Sequence, residues 1–276
     1  LNYGIEFSGN ETHAVSQHYK KRLGFWGSIL KEDRKRPVFL SAAWHNLLFA
    51  NYAVDPKVLA PFVPRGTEID FHDGNCYISL VAFQFLNTKV FGFPAFTKRN
   101  FDEINLRFYV KRPLSNGDER SGVVFIKEIV PSRLIAWAAR TLYGENYISM
   151  EMSHEITGRQ ADQELKVSYR CGVSELSNEF SAVVSPLSEM GEDDGLEPYI
   201  TEHYWGYSSP TQNKTVEYEV KHPKWLINKV TGYSIDFDFE GLYGTPYGFL
   251  SEISPASVLY CEGSDITVHL GNTISP

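Results

Sequence analysis

Apolar and polar residues alternate strictly along Phe101-Asp-Glu-Ile-Asn-Leu-Arg-Phe-Tyr-Val110. Ile104, Leu106, Phe108 and Val110 fall on one parity and Glu103, Asn105, Arg107 and Tyr109 on the other, the period of two of a β-strand. Two readings fit this pattern. In one the polar face of an outer strand is solvated; in the other it lines a cavity and holds a small polar ligand. Further strands are predicted at Phe39–Tyr52, Glu68–Phe71, Tyr77–Phe85, Val123–Glu128, Tyr147–Glu155, Glu164–Cys171, Glu217–Lys221, Tyr233–Phe239, Val258–Tyr260 and Asp265–Leu270. Asp73-Gly74 is a hairpin signal joining the second and third of these. Helical spacing is clearest over Pro131–Tyr143, with Leu134, Ile135, Ala138 and Leu142 as its buried stripe and Gly144 at the left-handed position beyond its end. Asp55-Pro56 opens a short helix that Pro61 ends, and Ser185–Pro198 reads as an exposed acidic loop.

No internal repeat and no linker divides residues 37–276, which read as one α+β domain, mostly β. Residues 1–36 differ: from His18 to Arg36 the chain is basic at both ends with an aromatic and aliphatic middle. The simpler expectation is an arm docked on the main body. Contact of residues 18–36 with anionic lipid or a partner is the alternative.

With 42% hydrophobic and 14% aromatic residues, the 276-residue chain has material for a large core rich in sheet. A net charge of -8 argues against a nucleic-acid partner, and no apolar run is long enough to span a membrane. Cys76, Cys171 and Cys261 show no paired spacing, which fits buried thiols in a reducing compartment. No apolar signal-peptide core follows the first residue, so a cytoplasmic location is expected.

Several chemistries lack their motif. There is no Gly-x-Gly-x-x-Gly after a strand, no phosphate-binding Gly-Lys-Ser/Thr loop and no Gly-x-Ser-x-Gly elbow. The histidines have no metal-ligand spacing, so neither a metal nor a cofactor is expected. Three polar clusters remain: Glu103/Asn105/Arg107/Tyr109; the stretch from Arg140 to Tyr147; and Thr201-Glu-His-Tyr204 together with the stretch from Tyr218 to Trp225. Each also has a purely structural reading. Arg140, for instance, can cap the carbonyls of its own helix.

The order of these segments resembles the YqjF-like bacterial family, which is related to acetoacetate decarboxylase. The resemblance rests on Trp44-His-Asn-Leu-Leu-Phe-Ala-Asn-Tyr-Ala-Val-Asp-Pro56, Phe62-Val-Pro64, Gly66-Thr-Glu-Ile-Asp70 and Asp73-Gly74. It continues through Glu103–Val110, Arg133, Ala139-Arg140, Tyr143-Gly144, Tyr218, His222-Pro223 and Trp225, covering roughly residues 38–270. It implies an acetoacetate-decarboxylase-like fold, a β-sheet closed into a cone or barrel around an internal pocket, with a few outer helices. It places Glu103 where the decarboxylases carry a pocket-facing glutamate, and His45 nearest to their carboxylate-binding arginine. Where they carry the first of two adjacent lysines, which forms an imine with the keto acid, this chain has Tyr147 followed by Ile148. A phenol cannot form an imine, so the resemblance implies no decarboxylation by that route.

Three functional readings follow. The first is an enzyme that acts on a small carboxylated or keto compound without an imine, as a lyase, dehydratase or isomerase. Glu103 would be its acid or base, Tyr147 would steady developing charge, and His45, Asn105, Arg107, Tyr109 and Arg140 would bind the ligand. The second is a non-catalytic protein that binds an anionic or carbonyl-containing metabolite. The third is an interaction or membrane-peripheral protein that works through its N-terminal arm. A homo-oligomer is compatible with all three.

Overall fold

A computed structural model describes residues 36–95, 98–137, 144–158, 164–172, 178–189, 191–192, 194–211 and 213–274. All but the last residue of the basic arm, and the helical positions Ala138, Arg140 and Leu142, therefore lie outside the described residues. In chain order the elements are β1 (Val38–Val54), α1 (Pro56–Leu59), β2 (Glu68–Ile69), β3 (Cys76–Val90), β4 (Phe93–Pro94), β5 (Phe101–Pro113), β6 (Glu119–Val130), α2 (133–137), β7 (Tyr147–Ser149) and β8 (Met152–Thr157). Then come β9 (Leu165–Cys171), β10 (Asn178–Glu189), α3 (Leu196–Thr201), β11 (Trp205–Thr211), β12 (Lys214–Lys221), β13 (Ile227–Asp236), α4 (Phe239–Tyr243), β14 (Ser257–His269) and β15 (Asn272–Ile274).

Seven strands run in the order β12-β11-β6-β5-β3-β1-β14, and β14 returns to β12 through Val220↔Val268 and Lys221↔Thr267. The sheet therefore closes on itself, as a barrel must to leave no free edge. From β14 it continues through β13, β10, β9 and β8, and this second layer packs against the outside of the ring. The outer core brings Leu48, Leu80, Leu106 and Phe108 of the ring against Tyr169, Phe180 and Phe239. The inner core brings Phe49, Val81, Phe83, Tyr109, Val123 and Trp225 together inside it.

β5 is buried on both faces: Ile104, Leu106 and Phe108 are inaccessible, and on the polar face Glu103 and Asn105 are only 2% and 1% exposed. That face is interior, not solvated. β3 is also buried on both faces from Cys76 to Phe85, which is why it reads as a mostly apolar run, interrupted by Ser79 and Gln84, rather than an alternating one.

Four expectations change. The Asp73-Gly74 turn forms, with both residues at positive φ, but it pairs only His72 with Asn75; β2 hydrogen-bonds to β5 rather than β3. The two predicted final strands are one, β14, whose Gly263 at φ 93 lies so close to β1 that a Cβ there would fall 2.0 Å from the Trp44 carbonyl oxygen. In α2, Leu134 is 51% exposed and Ala136 is the buried residue, because the helix lies at the rim of the ring instead of across a sheet face. The acidic loop is also shorter than expected, since β10 runs to Glu189 and α3 begins at Leu196.

At one end of the ring Glu217 is fully buried and draws three strands together: it accepts from Arg112 of β5 at 2.7 Å and Arg120 of β6 at 3.0 Å. Tyr207 adds a third bond at 3.2 Å. Glu217→Gln leaves two largely buried guanidinium groups without their counter-charge, and a loss of about 3 kcal/mol is expected in urea unfolding. A loss below about 1 kcal/mol would mean that the cluster behaves like an exposed surface pair.

Candidate functional site

Glu103 and Asn105 stand two residues apart on the inner face of β5, so their side chains are neighbours, and Asn105 Nδ2 donates to Glu103 Oε1 at 3.1 Å. The antiparallel register sets Glu128 of β6 opposite Asn105, and the parallel register of β7 sets Tyr147 beside Glu128. The Tyr147 hydroxyl donates to Glu103 Oε2 at 3.3 Å. Glu145, just before β7, accepts from the Tyr218 hydroxyl of β12 at 2.9 Å. Gly206 of β11 makes room for that phenol, since a Cβ there would fall 2.2 Å from Tyr218 Cζ.

Three glutamates thus meet in the ring, and burial favours their neutral form. Desolvation lifts Glu103 to about 7 against the hydrogen bonds from Asn105 and Tyr147 and the nearby charge of Arg107, all of which pull it down. It lifts Glu145 to about 8 against the bond from Tyr218. Glu128 is raised well above the usual range by desolvation and then by the charges of Glu103 and Glu145. The charge on any one of the three makes the others harder to ionise.

Deeper in the ring, Arg107 donates from Nη2 to the Ile200 carbonyl at 3.2 Å, and its guanidinium lies 5.4 Å from the Phe49 ring centre. Its buried Nε has no partner. His203, just past α3, makes no hydrogen bond from either ring nitrogen; the Asp70 carboxylate stands 3.9 Å away, too far for one. Desolvation holds this imidazole below its ordinary pKa, so it is neutral at pH 7.

These groups line one cavity of about 800 Å³, within the ~300–1,000 Å³ typical of small-molecule sites. The strand registers order its inner wall by depth. Phe101 beside Phe85 comes first, then Glu103 beside Phe83, then Asn105 facing Glu128, then Arg107, with Tyr109 beneath. Phe91 and Phe93 stand at the mouth, 53% and 69% exposed.

Glu103, Asn105, Arg107 and Tyr147 are brought together in this cavity. Tyr109 is not on its wall: its hydroxyl is bound to Ser79 Oγ at 2.7 Å, and its ring packs under His203 at 4.6 Å. His45 is also off the wall, where its neighbour Trp44 stands instead; successive strand residues face opposite ways, and the bulge at Asn46 follows directly. Arg140 lies outside the described residues. Lys98 is the lysine on the wall among the described residues.

Sequence reasoning missed Glu128. Alternation from Val123 and Phe125 points Lys127 inward, but the register slips by one residue there, so Lys127 sits opposite Leu106 and Glu128 opposite Asn105. Glu145, His203, Tyr218, His222 and Trp225 belong to polar clusters visible in the sequence and also line the cavity, although nothing local assigns them to it. No group of three His, Cys, Asp or Glu among the described residues is arranged to hold a metal ion. Cys171 and Cys261 are buried and unbridged, their thiols pushed up to about 12 by desolvation, so they are poor nucleophiles. No described helix is long and apolar enough to cross a membrane.

The family model of DUF2071, an uncharacterized conserved protein, matches residues 41–265. The chain is 30% identical over 187 residues to the uncharacterized protein YqjF of Bacillus subtilis, covering 67% of this chain and 73% of that one. Among solved structures it is similar to the enduracididine biosynthesis enzyme MppR, complexed there with the condensation product of pyruvate and imidazole 4-carboxaldehyde. The TM-score is 0.62 at 14% identity, over 87% of this chain and 91% of that one. It is also similar to an acetoacetate decarboxylase-like enzyme from Sphingomonas wittichii, with a TM-score of 0.58 at 14% identity, over 86% and 93% of the two chains. At these identities the structural likeness establishes the fold: an acetoacetate-decarboxylase-like, mostly β ring with a few helices.

A carboxyl with a folded-state pKa above its unfolded value holds its proton more tightly when folded, so its contribution is complete in acid and is lost as pH rises through the folded value. For Glu103 and Glu145 the losses run from about 4.5 up to about 7 and about 8. The melting temperature should therefore fall across that window, and Glu103→Gln/Glu145→Gln should flatten the fall. An equal slope in wild type and variant would show that these carboxyls are not held neutral.

Proposed function

The chain belongs to the DUF2071 family, and from its ring-enclosed carboxyl cluster we propose that it is an enzyme of proton transfer. It acts as an isomerase, dehydratase or lyase on a small carbonyl-containing acid, without an imine. The observation that carries this reading is the pairing of Glu103, poised at about 7, with the Tyr147 hydroxyl at 3.3 Å in a largely apolar cavity. A second observation supports a polar ligand there. Trp44 Nε1, Asn105 Oδ1, Arg107 Nε, Glu128 Oε2 and both His203 nitrogens are buried without partners, and all belong to residues of the cavity wall.

In this reading Arg107 holds the substrate's carboxylate, and Glu103 in its ionised form takes a proton from the carbon next to a carbonyl. The C–H electron pair moves onto the carbonyl oxygen, where hydrogen bonds from Tyr147 and the protonated carboxyls steady the developing charge. Return of the proton from Glu103 to another carbon completes an isomerisation; in a dehydration that proton passes instead to the β-hydroxyl, which leaves as water while the enolate's electron pair forms the carbon–carbon double bond. The phenol at position 147 serves as a donor, where an amine would instead have formed a covalent link.

Exchange of substrate protons in deuterated water, followed by NMR over a panel of 2-keto, 3-keto and 3-hydroxy acids, tests this directly. At least one compound should exchange its α-proton. The rate should rise through pH of about 7 and fall about 100-fold or more in Glu103→Gln. Exchange unchanged in that variant, or none across the panel, would sink the proposal. Thermal stabilisation by a panel member that never exchanges would favour a binding protein.

A further inference from the structure

The wall of the cavity is divided by depth in a way that selects the shape of its ligand. The cation Arg107 lies near the base, the carboxyls of Glu103 and Glu128 come above it, and Phe85 and Phe101 come above those. Beyond them Phe91 and Phe93 stand exposed at the mouth, with the side chains of Leu134 and Lys98 also on the wall. From Arg107 to Phe101 the strand rises six residues, about 20 Å at ~3.3 Å per residue, or about 15 Å of depth at the usual tilt of barrel strands. A three- or four-carbon keto acid held on Arg107 ends well below the aromatic level.

Volume argues the same way. The cavity of about 800 Å³ is worth roughly 25 waters at ~30 Å³ each, several times what such a short acid displaces. Apolar groups left exposed at a mouth are also unusual unless something apolar covers them.

We infer that the ligand is an amphipathic monoacid. Its carboxylate reaches down to Arg107, its carbonyl-bearing carbons lie level with Glu103 and Glu128, and an alkyl or aryl body of about eight or more carbons fills the aromatic sleeve up to Phe93. Its orientation follows from charge and shape together. The carboxylate seeks the half-buried Arg107 below the carboxyls rather than Lys98 at the mouth, where the apolar body lies against Phe91 and Phe93, and the neutral carboxyls accept an uncharged carbonyl or hydroxyl. This inference rests on the proposed function for the position of the reactive carbons, while binding itself requires no turnover.

The test is a titration of wild-type protein with straight-chain 2-keto acids of three to twelve carbons, read by quenching of tryptophan emission, since Trp44, Trp205 and Trp225 line the cavity. Affinity should rise by about fourfold per methylene, the factor for burying one CH₂, until the chain clears the mouth. Phe93→Asp, a change at an exposed position, should weaken the longest acids and spare the shortest, and Arg107→Gln should weaken every member. Affinity that stays level with chain length, is highest at three or four carbons, or is absent throughout would overturn the inference. A rising series without proton exchange would defeat the proposed function alone; exchange with short acids and a level series would defeat this inference alone.

Discussion

A β-strand buried on both faces must satisfy its polar side chains among themselves or with a ligand, and β5 is such a strand. Its apolar face closes the outer core against Tyr169 and Phe180, and its polar face closes the ring. Once Glu103, Asn105 and Arg107 are inside, every strand opposite must answer them. Glu128 and Tyr147 do so through register, Tyr218 through Glu145, and the Ile200 carbonyl through Arg107. The ring can hold a cavity here because large side chains prop its walls apart above and below the polar level.

The same protein resolves the cost of a buried carboxylate in two ways. Glu217 is met by two guanidinium groups and a phenol, a geometry that fixes three strands and leaves nothing over for a ligand. Among the described residues Glu103 has the charge of Arg107 nearby, half committed to a carbonyl, and burial drives Glu103, Glu128 and Glu145 toward the protonated form. Mutual repulsion keeps the trio from ionising together. One arrangement is a structural clamp and the other a reservoir of protons, and the difference lies in how many guanidinium groups the surrounding strands supply.

Much of this was legible in the sequence. Alternation over Glu103–Val110 placed a strand with one polar face, and the order of motifs around it marked the acetoacetate-decarboxylase-like ring that turns that face inward. What stayed hidden depends on backbone irregularities that no local pattern reports. The slip beside Ile126 brings Glu128 inside, the positive φ of Asn46 follows a stretch where Trp44 and not His45 faces the cavity, and Gly263 lets β14 pass beside Trp44 as one strand. The apposition of His203 and Tyr218 with Glu103 comes from the curl of the sheet that carries β11 and β12 around past β6, a contact between residues far apart in the chain. Leu134 was misplaced for a related reason: at the rim of an open cavity an apolar helix face meets the mouth rather than a sheet.

Tyr147 ties the cavity's chemistry to its shape. Covalent capture through an amine anchors a small keto acid regardless of how loosely the rest of the pocket fits it. A phenol offers only hydrogen bonds, so a ligand must be held by everything else it touches. In the proposed reading Arg107 contributes one charged contact, and the carboxyls above it contribute neutral ones. Most of what remains on the wall is aromatic or aliphatic, and such surface retains a ligand in proportion to the apolar area it removes from water. On the proposed reading, the phenol at position 147 and the apolar sleeve belong together: binding energy spread along an apolar body does the positioning that a covalent bond would otherwise supply.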